Sequence, residues 1–335
     1  MSHKRIAFAN IDLDKPGRSV GFIMIPHSPH DDAWGVTRVP IAVIANGRGP
    51  TVIIEGGNHG DEYEGPIVIG DLIRDIDVGK VQGRLILLPA VNVHAVTAGR
   101  RTSPVDGLNF NRVFPGNASG TITQQIAEFV ASEIMPLGQA FLDLHSGGSS
   151  LNFLPSAVLE PVTSEVHHRR NVEMVQAFGA PIAVVVSNHG DSRTATATAC
   201  RAGLTTMGTE MGGGGTVSID AISICRRGVR GVLSHLGVLP ADADVATPMP
   251  APLYELKRNS FIYASSDGIF EPFHPNGAIV HMGEPAGRIH QTWDAFQTPE
   301  VLHYAADGLL YGRRQPGRVR PGNCCLVVAS PLKPS

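Results

Sequence analysis

The stretch TVIIEGGNHGDEYEGPIVIGDLIRDI, residues 51–76, decides the fold. Val52, Ile53 and Ile54 run without polar alternation, which predicts a strand buried on both faces of a sheet. A Gly-rich turn follows. The segment GPIVIGDLIRDI then places Ile69, Leu72, Ile73 and Ile76 on one helical face. The same alternation recurs along the chain. RLILLPAV (84–91), AFLDLH (140–145), IAVVVSN (182–188) and TTMGTEM (205–211) read as strands. TITQQIAEFVASEIMP (121–136) reads as a helix with Ile122, Ile126, Phe129, Val130 and Ile134 inward and Pro136 as its stop. Residues 164–178 read as another, with Gly179 as C-cap. Strands alternating with helices predict an α/β sheet with helices on both faces, and in such sheets ligands bind at the carboxyl ends of the strands. Polar residues stand at four of those ends: His59, Asn92, His145 and Glu210.

The chain of 335 residues, 42% hydrophobic and 17% charged, is that of a soluble globular protein with a sizeable core. Its net charge of -3, without any long Lys/Arg block, argues against a nucleic-acid or anionic-membrane partner. The first 17 residues carry no apolar secretory core and no membrane-length apolar span occurs, so a cytoplasmic protein is expected. Cys200, Cys225, Cys324 and Cys325 lack disulfide or CxxC spacing and read as reduced thiols. From about residue 246 the texture becomes short segments cut by Gly and Pro, which predicts a small β-rich domain over 246–335 behind a catalytic domain over 1–245. The strand-like residues 1–45 either complete that β domain or extend the main sheet. Its candidate turn NGAIVHMGEPAG lacks the Lys that a biotinyl or lipoyl carrier would modify.

His59, Glu62 and His145 offer two imidazoles and one carboxylate, the composition of a catalytic zinc site with an open fourth position. If they meet in space, the protein is a metallohydrolase; the competing reading is a helix-capping Glu beside a surface His. Asp61 and Glu64 are candidates to orient an imidazole or, alternatively, plain helix-start acids. Asp143, an acid inside an apolar strand two residues before His145, must be satisfied by something. Glu210, ahead of four glycines, is the candidate general base and acid. The turn-rich segment 98–116 holds Arg100, Arg101, Asn109, Asn111 and Arg112, donors suited to a carboxylate or a developing oxyanion. His189, Asp191 and Glu160 are further pocket candidates, and Arg193 and Arg201 are unplaced. His167, His168, His274, His281 and His290 carry little functional signal.

HGDE (59–62), DGLNFNR (106–112), LDLH (142–145) and GTE (208–210), in that order, resemble the succinylglutamate desuccinylase and aspartoacylase family. The resemblance implies a zinc-carboxypeptidase-like mixed sheet flanked by helices, with a β-rich C-terminal portion. It implies one zinc ion on His59, Glu62 and His145, Glu210 as general base and acid, and Asn111 and Arg112 on the substrate carboxylate. Arg101, or the adjacent Arg100, would face the scissile carbonyl. Within the family, GGNHGDEYEG and DGLNFNRVFPG are similar to bacterial deacetylases of ectoine degradation. That implies an amide hydrolase converting Nα-acetyl-L-2,4-diaminobutyrate to L-2,4-diaminobutyrate and acetate, with Asp191 or Glu160 receiving the side-chain ammonium. A deacylase of other specificity and a non-catalytic small-molecule binding protein are the rival readings. A homo-oligomer is compatible with this sequence.

Overall fold

The computed structural model describes residues 6–241 and 250–332. Its strands are β1 (Phe8–Ala9), β2 (Gly17–Pro26), β3 (Val36–Asn46), β4 (Thr51–Gly56), β5 (Gly83–Leu88), β6 (Ala140–Leu144), β7 (Leu151–Phe153), β8 (Ser156–Leu159), β9 (Ile182–Val185) and β10 (Thr205–Glu210). The later part adds β11 (Leu253–Glu255), β12 (Phe261–Tyr263), β13 (Gly268–Pro272), β14 (Ile279–Val280), β15 (Pro285–His290), β16 (Glu300–His303), β17 (Gly308–Arg314), β18 (Arg318–Val319) and β19 (Cys324–Pro331). The helices are α1 (Glu64–Asp75), α2 (Val93–Ala98), α3 (Ile122–Phe129), α4 (Glu165–Phe178), α5 (Ala195–Arg201) and α6 (Ile219–His235). Among the described residues none is long and apolar enough to cross a membrane.

The main sheet runs β1-β2-β3-β5-β4-β6-β10-β8-β9-β11-β19-β17-β14, and a second sheet runs β16-β15-β13-β18. At the centre β4 pairs in parallel with β5 and β6, and β10 pairs in parallel with β6, so all four carboxyl ends open on one side. The uninterrupted apolar runs are explained by two layers of helices. Val52, Ile54 and Leu142 pack with Val68, Leu72, Met174, Phe178 and Val229 of α1, α4 and α6. Ile53, Ile86 and Phe141 point the other way, onto Phe110, Ile126, Val130 and Ala199. Burying each such side chain is worth roughly 1.5–3 kcal/mol. The helix expected over 121–136 is less regular than its periodicity suggests: α3 ends at Phe129, opens into a π-helical turn at Val130–Ile134 and tightens to a 3-10 turn at Met135–Leu137. Pro136 sits in that last turn, where its missing N–H is harmless. Gly179 closes α4 in the left-handed conformation, as expected.

Residues 8–46 extend the main sheet: β3 lies along β5, and β2 and β1 follow outward. The expected boundary at 245/246 falls among residues 242–249, outside the described residues. Beyond them the C-terminal strands continue the main sheet, β11 beside β9 and β19 beside β11. They also draw in β7, which leaves the catalytic half to pair with β17. Tyr311 of β17 is fully buried at this seam, its hydroxyl 2.7 Å from Ser156 Oγ and its ring 4.8 Å from that of Phe153. Replacing Tyr311 by Phe strands a buried hydroxyl, so a loss of about 1–3 kcal/mol in unfolding free energy is expected by denaturant titration, with the m-value unchanged.

Candidate metal centre and cavity

The exit of β4 is a tight loop. Gly57 has φ 71°, and a Cβ on Gly60 would lie 1.9 Å from the Ala95 carbonyl oxygen, so only glycine lets the loop lie against α2. The Gly60 N–H donates to the Arg100 carbonyl at 2.9 Å. This close packing turns His59 back over the sheet, and Glu62 follows just before α1. His145 leaves β6 one position past Leu144. Its backbone N–H donates to Thr209 Oγ1 at 3.0 Å, and its carbonyl accepts from the Met211 N–H at 2.9 Å. Strand β10 therefore clamps His145 and brings Glu210 beside it.

Three predicted ligands meet. His59 Nδ1 stands 2.7 Å from Glu62 Oε1 and His145 Nδ1 2.7 Å from Glu62 Oε2, with the donor atoms of all three within 4.8 Å of one another. The opposite ring nitrogens have fixed partners. His145 Nε2 lies 2.8 Å from Asp143 Oδ2, and His59 Nε2 3.2 Å from Asn109 Oδ1. Protons on both Nε2 atoms leave the two Nδ1 lone pairs and the Glu62 oxygens facing one point. Such a group of lone pairs fits a divalent cation, in a set of two imidazoles and one carboxylate. Burial works against the Glu62 charge, yet His59 and His145 hold its carboxyl well below the usual carboxylate range. Burial likewise disfavours a charged His145, but Asp143 and Glu62 pull its pKa well above the ordinary imidazole value. Burial keeps that of His59 below it. Acids thus flank His145 on both sides, while His59 stands between Glu62 and the Asn109 amide oxygen.

A cavity of about 340 Å³ opens over this cluster, the scale of a small-molecule site. Its lining includes Arg101, Asn111, Arg112, Glu160 and Glu210. Oε2 of Glu210 is buried without a hydrogen-bond partner. Burial, then the nearby Glu62 charge, pushes the Glu210 carboxyl well above its ordinary value. Arg101 Nη1 lies 3.5 Å from Glu62 Oε1, with the side chain still 44% exposed toward the opening. Asn111 is held by the Ala195 N–H, which donates to its Oδ1 at 2.8 Å, while Arg112 donates to the Asn111 carbonyl at 2.6 Å. Burial, with Arg101 next, lowers the Arg112 pKa.

Other candidates sit elsewhere. Arg100 is exposed and absent from the cavity lining: consecutive side chains diverge here, and its carbonyl is committed to Gly60. Asp61 orients no imidazole; it accepts from the Ser149 N–H at 2.7 Å. Glu64 accepts from the Ser218 N–H at 3.1 Å. Asn92 donates to the Asn58 carbonyl and holds the loop from behind. Asp191 is taken by Arg193 at 2.9 Å and faces Arg112 Nε at 3.4 Å. Arg201 donates to the Ser192 carbonyl and Thr198 Oγ1. His189 packs its ring 4.7 Å from that of Phe261, outside the lining. His167 bonds the Leu204 carbonyl, His274 approaches Tyr304, His281 faces Asp307 and His290 bonds Glu271, while His168 is exposed. Glu55 was missed. It is fully buried and paired in register with Asp143, and burial followed by Asp143 pushes its carboxyl well up. An acid closing the apolar run TVIIE carried the same signal that singled out Asp143.

Residues 48–236 match the model of the Succinylglutamate desuccinylase/Aspartoacylase catalytic domain. An N-alpha-acetyl-L-2,4-diaminobutyric acid deacetylase from Halomonas elongata is 34% identical over 321 residues, spanning 96% of this chain and 94% of the relative. The product-bound ectoine utilization protein EutE (DoeB) from Ruegeria pomeroyi superposes with a TM-score of 0.94 at 34% identity, over 98% of this chain and 100% of that one. A succinylglutamate desuccinylase/aspartoacylase from Rhodobacter sphaeroides gives 0.92 at 38% identity, over 97% and 99%.

Asp143 orients His145 without belonging to the three-ligand cluster. Asp143→Asn is expected to weaken divalent-cation affinity about 10- to 100-fold, read by chelator competition, while His145→Ala abolishes stoichiometric binding.

Proposed function

The chain belongs to the succinylglutamate desuccinylase/aspartoacylase family and is an N-acyl amino acid deacetylase, and on that premise we propose that it hydrolyses Nα-acetyl-L-2,4-diaminobutyrate to L-2,4-diaminobutyrate and acetate. The substrate is the one named for the Halomonas elongata relative. We further propose zinc as the metal, one ion per chain, held by His59, Glu62 and His145, because two imidazoles and a carboxylate are a common catalytic zinc set. When bound there, such an ion supplies an acidified water and a Lewis acid.

The observation that carries the reading is Glu210 Oε2, a buried carboxylate oxygen without a partner on the wall of the cavity. An unpaired buried acid is costly unless it works. In this reading Glu210 takes the proton of the attacking water and returns it to the departing amine. Arg101 stabilises the developing charge on the acetyl oxygen, its guanidinium already drawn toward the cluster by Glu62. Arg112 and Asn111 receive the α-carboxylate, so binding energy goes into orientation. Asn111 suits that task because the Ala195 N–H fixes its amide plane. Arg100, exposed outside the cavity, has no part in it. A cytoplasmic location accords with this hydrolytic role on a small metabolite.

Amide hydrolysis by the zinc-loaded chain, read as release of the free amino group, is expected from Nα-acetyl-diaminobutyrate and not from its Nγ-acetyl isomer or N-succinyl-glutamate; turnover of those alone would sink the substrate assignment. Glu210→Gln should lower kcat about 10²- to 10⁴-fold with zinc still bound. The same variant has a stability signature in metal-stripped protein. Because the folded Glu210 carboxyl holds its proton more tightly than the unfolded one, the stability that proton confers is complete below about pH 4.3 and is lost as pH rises toward the raised folded value. Wild type should therefore lose Tm relative to Glu210→Gln across that window.

A further inference from the structure

Seven charged or ionisable residues line the cavity, and six are spoken for. His59, Glu62 and His145 form the cluster, Glu210 faces it, Arg101 leans on Glu62, and Arg112 lies beside Asp191. Glu160 remains. Among the described residues it has no ion-pair partner, although it is an acid on the wall of a partly enclosed site.

Its surroundings hold it without neutralising it. Thr194 Oγ1 donates to Glu160 Oε1 at 2.9 Å, and Asn188 Nδ2 approaches the same oxygen at 3.4 Å. The Thr194 hydroxyl accepts from the Ala197 N–H as it caps α5, which directs its proton to Glu160. Both donors are neutral and both reach Oε1, so Oε2 has no protein donor among the described residues. Asn188 is kept there against backbone preference: φ is 47° at Asn188 and 56° at His189, neither of them glycine. Left-handed non-Gly residues are costly and gather where a site over-determines them. Here the His189 ring is braced on Phe261. Burial pushes the Glu160 carboxyl above its ordinary value; Arg201 and Arg112 act on its charge only through space, Arg201 spending its donors on Ser192 and Thr198 and Arg112 on the Asn111 carbonyl and Asp191.

Placement along β8 gives this acid its use. Ser156 is opposite Glu210, and Val158 is opposite Gly208. Val158 lies two residues along β8 from Ser156, and Glu160, one residue past the strand's end, lines the same cavity wall, about 13 Å of extended chain from Ser156 and away from Glu210. Gly208 puts no side chain over the floor between them, and Glu160 and Glu210 both line the one cavity, whose volume is on the scale of a small-molecule site.

We propose that Glu160 is the specificity-determining residue for the amino-acid side chain, accepting the primary ammonium of an Nα-acetyl diamino acid and repelling a side-chain carboxylate. This rests on the substrate reading above. A half-buried carboxylate with one oxygen free of protein donors gains a charge-assisted hydrogen bond from an ammonium, offers a neutral side chain no such bond, and meets an aspartyl side chain as a like charge.

The test compares kcat/KM for Nα-acetyl-diaminobutyrate, Nα-acetyl-2-aminobutyrate and N-acetyl-aspartate in zinc-loaded wild type and Glu160→Gln. Wild type should favour the ammonium-bearing substrate over the neutral one. In Glu160→Gln that preference should fall about 10- to 100-fold, mainly through KM, with N-acetyl-aspartate gaining ground. A preference retained by Glu160→Gln, including an equal loss on every substrate, overturns the assignment of Glu160 and leaves the deacetylase reading standing. A wild type that shows no preference for the ammonium overturns the substrate reading and this inference together. Should Glu160→Gln not fold, Asn188→Gly decides: it deletes one donor to Glu160 yet suits the left-handed backbone. A several-fold loss of preference supports the assignment, and an unchanged ratio overturns it.

Discussion

Parallel pairing of β4, β6 and β10 in one register is the constraint on which this molecule turns. Glu55 is level with Asp143, and Asp143 with Gly208, so the chain leaves all three strands at the same height. Two residues beyond Asp143 stands His145, two beyond Gly208 stands Glu210, and the β4 exit has just enough loop to fold His59 back to them. A one-residue slip would send each side chain to the opposite face. Apolar burial on both faces, through separate layers of helices, forbids that slip.

The same register concentrates charge where a protein can least tolerate it. Glu55, Glu62 and Asp143 are almost entirely withdrawn from water, and Glu55 Oε2, Asp143 Oδ1 and Glu210 Oε2 lack partners. Buried acids in contact raise one another's affinity for protons, and the imidazoles and Arg101 offset them, with neutral help from the Asn58 amide and the Ser146 N–H. A core of this kind is an expensive one, sustained by the apolar layers on either side. Its arrangement makes sense for a centre that takes up positive charge and handles protons.

The strand-end logic was legible because it depends on local pattern. His59, Glu62, His145 and Glu210 each follow a short apolar run, and topology carries such ends to one edge. Arg100 and Arg101 could not be separated that way, since adjacent residues in an irregular loop diverge by an amount only the packing of Gly60 on α2 sets. Asp61 looked like a partner for an imidazole but is turned to the Ser149 N–H by the loop after His145. The apolar reading of residues 182–188 hid the break at Val185 and the left-handed pair behind it, Asn188 and His189, a conformation these residue types tolerate better than most but do not announce in the sequence. The C-terminal strands were recognisable as β-rich, whereas their continuation of the main sheet depends on long-range pairing. A three-residue strand such as β7 has no periodicity to detect.

That small strand has a mechanical consequence. Ser150, Leu151 and Phe153 form part of the cavity mouth, yet the ladder that holds them belongs to β17, with further hydrogen bonds from Gln315 N–H to the Ser150 carbonyl and from Asn276 Nδ2 to the Asn152 carbonyl. The mouth is thus riveted to the far end of the polypeptide. Widening it at this side means breaking hydrogen bonds of the C-terminal sheet, so the aperture is as stiff as that sheet, and residues more than 120 positions downstream in the chain set the clearance through which a molecule enters.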